Sequence, residues 1–170
     1  MSKYIDLDIV GDMLKKGEKT GCICYKSHDC YKCLSLHYVI LHNDIRVVKS
    51  LLKQPMVNIN YTGGGNFAMT PLILTCYKGY KNIVKLLLQQ DNIDVNIRIK
   101  DLYNLGVCGG KTALHVAIEN KKFKCAKLLI ESFRCDLSIK NESGETARDL
   151  AVSSGLTKIV VMIDNLNKHA

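Results

Sequence analysis

The sequence predicts an all-α solenoid: four repeated helix pairs headed by a degenerate N-terminal half-repeat that caps the array. Three observations lead there. A short apolar motif recurs from residues 34, 70, 112 and 146, at separations of 36, 42 and 34. Each copy is followed by a second apolar stripe with helical spacing. Three of these stripes run into a turn that carries an aliphatic residue of buried type. Self-similarity at a period of roughly 20–50 residues is the mark of a stacked repeat array, and a chain of 170 residues has room for about four such units.

The elements follow in order. Residues 1–17 hold a stripe from Ile9 to Leu14 that ends at Gly17 and reads as the outer helix of a truncated cap unit. Residues 18–60 form repeat 1, with a Cys-rich finger, the inner-helix motif Leu34-Ser35-Leu36-His37-Tyr38-Val39 and the outer stripe Val47 to Leu52. Residues 61–97 form repeat 2, with Thr70-Pro71-Leu72-Ile73-Leu74-Thr75 and the stripe Ile83 to Leu88. Residues 98–139 form repeat 3, with an inserted finger, Thr112-Ala113-Leu114-His115-Val116-Ala117 and the stripe Cys125 to Ile130. Residues 140–170 form repeat 4, which reads as a C-terminal cap because Asp149, Lys158 and Asp164 make it more polar. Thr70 and Thr112 are N-cap residues, Pro71 is tolerated in a first turn, and Gly79 and Gly155 end their helices. Inner helices are expected to start near Leu34, Thr70, Thr112 and Thr146, and outer helices to cover about 44–54, 81–90, 122–132 and 156–166.

The motif at 70–75, and more closely the one at 112–117, resembles the ankyrin repeat, whose signature is T-P-L-H-x-A. The resemblance covers nearly the whole chain. It implies stacked helix pairs with hairpin fingers beside a concave inner-helix face, protein partners bound on that face, and no catalysis. It also implies a structural role for His115, bridging Thr112 and neighbouring backbone; His37 holds the same place, although Leu34 replaces the Thr there.

Composition narrows the function classes. The formal charge is +8, from 24 basic and 16 acidic residues. Only Arg46, Arg98, Arg134 and Arg148 are arginines, and lysine suits a solvated surface better than bidentate reading of phosphate. Among the lysines of the outer helices Phe123 is the one aromatic, which argues against nucleic acid as the partner. No apolar run approaches the roughly 20 residues of a membrane span. Acidic residues stand where a signal peptide needs its apolar core, so a cytoplasmic protein is expected; a monomer is expected as well. No P-loop, G-x-S-x-G or H-E-x-x-H occurs, and no enzyme is expected.

One cluster carries possible chemistry of its own. Cys22, Cys24, Cys30 and Cys33 lie within twelve residues and supply four thiolates for a tetrahedral zinc, with His28 as an alternate ligand. The plainer readings of the same stretch are a finger of free thiols or a disulfide within the loop. No cofactor is otherwise expected.

The function expected is therefore a non-catalytic interaction module acting as a blocker or adaptor. Short stand-alone proteins of the ankyrin type that target host factors, some resembling NF-κB inhibitors, set the finer expectation: host signalling, in the host cytoplasm or nucleus. The alternative is a zinc-binding or nucleic-acid-associated factor built on the Cys cluster and the basic surface. The expected partner face comprises Tyr31, Leu41 and His42 in repeat 1, Phe67, Met69, Tyr77 and Lys78 in repeat 2, and Lys111, Glu119 and Asn120 in repeat 3, extended by the inserted Leu102 and Tyr103. Glu142, Glu145, Ser153 and Ser154 are the repeat 4 equivalents. The apolar and aromatic members gather in repeats 1 and 2, which places the interface there.

Overall fold

The computed structural model describes residues 31–55, 57–62, 69–99 and 109–168. Within them the chain forms helices in pairs: α1 (Tyr31–Leu41) with α2 (Ile45–Leu52), α3 (Pro71–Lys78) with α4 (Lys81–Leu88), α5 (Ala113–Glu119) with α6 (Phe123–Glu131), and α7 (Ala147–Ser153) with α8 (Thr157–Asn167). Inner helices α1, α3, α5 and α7 pack in sequence, and outer helices α2, α4, α6 and α8 pack in sequence behind them. No strand forms among the described residues; Lys140 and Thr146 make one antiparallel bridge at the base of a finger.

Side-chain chemistry sets where the helices start. Thr70 Oγ1 accepts from the Ile73 amide at 3.2 Å, with Pro71 in the first turn. In repeat 4 the exchange is reciprocal: Asp149 N–H donates to Thr146 Oγ1 at 3.2 Å and Thr146 N–H to Asp149 Oδ2 at 2.9 Å. Asp44 caps α2 by accepting from the amides of Arg46 and Val47. Helix α1 departs from expectation. It begins at Tyr31 rather than at Leu34, because Leu34 has no side-chain oxygen to cap a helix and nothing else in the motif stops the turn.

A left-handed residue ends every inner helix. Counting nine residues on from 34, 70, 112 and 146 gives Asn43, Gly79, Lys121 and Gly155, with φ of 54°, 79°, 53° and 69°. Gly79 and Gly155 adopt this conformation without strain, whereas Asn43 and Lys121 carry a Cβ into it. The outer helices stop sooner than expected, at Leu52, Leu88 and Glu131, and only α8 runs as far as Asn167.

Packing follows from the motif. In α3 the side chains from Pro71 through Cys76 are all buried, leaving only Tyr77 and Lys78 exposed. Leu51, Leu87 and Leu129 are buried on the outer helices, and Leu36, Leu72 and Leu114 on the inner ones. Repeat 4 breaks the pattern at two register positions. Arg148 stands where the other motifs have Leu36, Leu72 and Leu114, and Asp164 stands where Leu88 and Ile130 stand. The two pair bidentately at 2.6 and 3.0 Å, so a polar clamp occupies positions that are apolar in the earlier repeats.

Polar clasps join each repeat to the next. Asn60 donates to the Asn92 carbonyl at 2.7 Å and accepts from the Asp94 amide at 2.9 Å. Asn96 does the same one repeat on, to the Arg134 carbonyl at 3.1 Å and from the Asp136 amide at 2.9 Å. Arg134 reaches back to the carbonyls of Gln90, Asp91 and Ile93. Arg98 ties the carbonyls of Gly110 and Lys140 together. Ile99 and Gly110 pair through their main chains, and Ile99 also donates to the Lys111 carbonyl at 2.8 Å, so the inserted finger of repeat 3 has a hairpin stem.

Two stability changes follow. Leu87→Ala should destabilise by about 2–5 kcal/mol in urea unfolding, as truncation of a buried leucine does. Lys121→Gly should stabilise by about 0.5–1 kcal/mol, because relief of the left-handed strain outweighs the added freedom of the unfolded chain. A neutral or destabilising result at residue 121 would mean that its backbone is not left-handed in solution.

Candidate partner-binding face

The two residues before each left-handed stop fall at the same end of successive inner helices. They are Leu41 and His42, Tyr77 and Lys78, Glu119 and Asn120, and Ser153 and Ser154. Because the inner helices stack in sequence, these pairs form one row along an edge of the array. The row changes character along its length. Tyr77 is 44% exposed and the Lys78 ammonium lies 5.6 Å from its ring centroid, within cation–π range. Exposed His42 packs against Tyr38 with ring centroids 4.6 Å apart and planes tilted by 56°, and Tyr38 is 54% exposed. Beyond them the row is polar: the Glu119 carboxylate takes an ammonium, and Asn120 donates to the Val116 carbonyl at 2.9 Å.

Several expected members stand elsewhere. Lys111 does not project from the array. It is 7% exposed, and its ammonium reaches Glu119 at 2.6 Å. The reason is the ion pair itself, which lets the aliphatic stem lie against the inner helix while the charge is satisfied. Leu41 and Met69 are half-buried against the core rather than standing clear of it. The Met69 carbonyl is engaged too, accepting from His37 Nε2 at 2.8 Å. Phe67, Leu102 and Tyr103 lie outside the described residues, as do Cys22, Cys24, Cys30 and His28. Tyr31 and Cys33 belong to the backbone of α1. Among the described residues no three His, Cys, Asp or Glu side chains converge as metal ligands would.

Register alone hid Tyr38. Its equivalents, Leu74 and Val116, are 4% and 3% exposed, so the motif marks the position as core. The bridging role of Asn60 and Asn96 was also missed, although their 36-residue separation, equal to one repeat, was a usable signal.

The titratable groups behind the row are structural. His115 Nδ1 accepts from the Thr112 amide at 3.3 Å and lies 2.8 Å from Thr112 Oγ1, which leaves the proton on Nε2. That Nε2 is buried without a well-formed hydrogen bond. Burial lowers the imidazole pKa, the nearby carbonyls of Glu145 and Ile139 partly oppose the shift, and the charges of Lys111 and Arg98 add to it. Burial likewise raises the thiols of Cys76 and Cys125, and takes Cys135 to about 12. None of the three supplies a thiolate nucleophile near neutral pH.

An array of helix pairs, each repeat bonded mainly to its neighbours, defines a repeat protein. The chain belongs to the ankyrin-repeat family: the model described as ankyrin repeats (3 copies) matches residues 3–99, and that described as ankyrin repeats (many copies) matches residues 92–151. Members of this family are generally non-catalytic interaction modules. A poly [ADP-ribose] polymerase tankyrase of Caenorhabditis elegans is similar, 37% identical over 57 residues. That match covers 33% of this chain and only 2% of the tankyrase. No helix among the described residues is long and apolar enough to cross a membrane.

The lowered pKa of His115 makes a prediction with a definite sign. The unfolded imidazole gains its proton near pH 6.5, while the folded one gains it only at lower pH. Between those two values the unfolded state binds more protons, so this residue lowers stability as pH falls through that window. The His115 ring resonances should titrate with a midpoint below about 6.5. A midpoint above that value would contradict the buried, neutral role.

Proposed function

We propose that this chain is a non-catalytic module that binds a partner protein along the edge row of repeats 1 and 2, and acts by occupying the partner's surface as a blocker or adaptor. The observation that carries this reading is Tyr77. It is a large aromatic side chain exposed in an otherwise buried inner helix, with Lys78 beside it and the exposed Tyr38–His42 pair one repeat away. Exposed aromatics of this kind are typical interface anchors. Leu41 and Met69 flank the row as a half-buried apolar floor, and Glu119 and Asn120 form its polar continuation. Phe67, Leu102 and Tyr103 remain part of the proposed face on sequence grounds.

The absence of catalysis in this reading rests on the family and on thiols held protonated by burial. A reducing compartment such as the cytoplasm suits the free thiols of Cys76, Cys125 and Cys135. Blockade of host signalling in the manner of NF-κB inhibitors is the finer form of the proposal, and resemblance alone supports it. Nucleic-acid binding loses ground on the arginines. Arg98 and Arg134 hold main-chain carbonyls, Arg148 holds Asp164, and Arg46 lies 3.6 Å from Asp44.

Affinity capture from a cell lysate with the parent and with Tyr77→Ala tests the reading. The variant should bind the captured partner about 2 kcal/mol more weakly while its circular dichroism and melting stay close to the parent's. Glu145→Ala should change binding little. Equal affinity of Tyr77→Ala and the parent would move the interface off this row.

A further inference from the structure

The convex back carries a feature that the edge row does not use. Fifteen residues on from 34, 70, 112 and 146 lie Lys49, Lys85, Lys127 and Val161. The first three are exposed lysines, as a solvated back requires. The fourth is a valine with 56% of its surface exposed. A second exchange lies beside it. Eleven residues on from the same starts lie Ile45, Lys81, Phe123 and Thr157, so repeat 3 carries an aromatic where repeat 2 carries a lysine. Between α6 and α8 these two exchanges meet in a cleft of about 380 Å³ lined by Phe123, Lys127, Thr157, Lys158, Val161 and Met162. Phe123 and Met162 are half-buried and form an apolar floor. Two lysines stand on the rim. Lys127 shares its charge with Glu131 at 3.5 Å, and Lys158 makes no ion pair among the described residues.

We propose that this cleft is a second docking surface, taking an acidic amphipathic helix of a partner protein. One apolar side chain of that helix would enter between Phe123, Val161 and Met162, with its carboxylates against Lys127 and Lys158. Charge selects this occupant. The rim is basic in a chain of net charge +8, so a basic or neutral segment loses the flanking contacts. Shape favours a side chain over a lipid surface. The cleft is a local depression with room for one or two large side chains, not an extended flat face. The site lies on the outer helices, on the far side of the array from the row of Tyr77 and Lys78, so one partner on each face is sterically allowed.

The test uses the full chain and the variant Val161→Lys, which restores the lysine found at the same position of the other three repeats. The probe is a short synthetic helical peptide with leucine on one face flanked by glutamates; the control is the same peptide with lysines in place of the glutamates. Amide shifts of the labelled protein are followed by NMR. The acidic peptide should shift residues 157–162 and bind Val161→Lys about tenfold or more weakly, while the lysine peptide should leave the spectrum unchanged. Tyr77→Ala should bind the acidic peptide like the parent, so failure of the edge-row reading and failure of this one are separable. The proposal is overturned if the peptide binds both proteins equally, if the lysine peptide binds as well, if no shift appears at 157–162, or if only phosphatidylserine vesicles bind there.

Discussion

A helix in which Pro71 through Cys76 are all buried has no free side except its last turn. Its own partner α4 can cover only one flank. The other flanks are covered by α1 before it and α5 after it, and this dependence runs through the array. Each repeat is therefore stable only as part of a stack. Function sits in what the constraint leaves over. The residues just before the left-handed stop lie past the most tightly packed turns, so they are among the inner-helix positions left free to vary. Tyr77 and Lys78 occupy that place in repeat 2, and Ser153 and Ser154 in repeat 4.

The same constraint explains the polar groups buried among the repeats. His37 reaches the carbonyl of Met69, the residue before the next N-cap, and His115 faces the carbonyl of Glu145 in the corresponding position. A histidine packed at an interface is tolerated when its ring finds a main-chain partner, as His37 does at the Met69 carbonyl and His115 at the Thr112 amide. Ile73 replaces it in repeat 2. There the equivalent carbonyl, that of Lys111, is taken up by the Ile99 amide of the inserted finger. Repeat 4 replaces it with Asp149, which turns back to cap its own helix.

Much of this was legible in the residues. Thr70, Thr112 and Thr146 located three inner helices, because an N-cap is a local interaction that sequence displays directly. The outer stripes were legible for a related reason: burial along one helix face leaves a periodic trace. What stayed hidden depends on partners distant in sequence. The start of α1 was misplaced because no cap marks it. Lys111 was read as solvent-facing because nothing in its own motif announces a carboxylate eight residues away. Tyr38 was left out of the expected face, and its equivalents Leu74 and Val116 are core. Along the edge row, the pairs of repeats 2, 3 and 4 fall at the register positions expected of them, whereas Leu41 and Met69 are drawn partway into the packing.

The clasps between repeats have a consequence for how such a surface can change over time. Asn60, Asn96, Arg98 and Arg134 all bond to backbone amides and carbonyls of the adjoining unit, not to its side chains. Every residue type offers those main-chain carbonyls. A neighbouring unit can therefore exchange its outward side chains without breaking the joint. Selection for a new ligand and selection for a folded array then act on separate sets of atoms, and an array of this kind can drift from one ligand to another while remaining folded at each step.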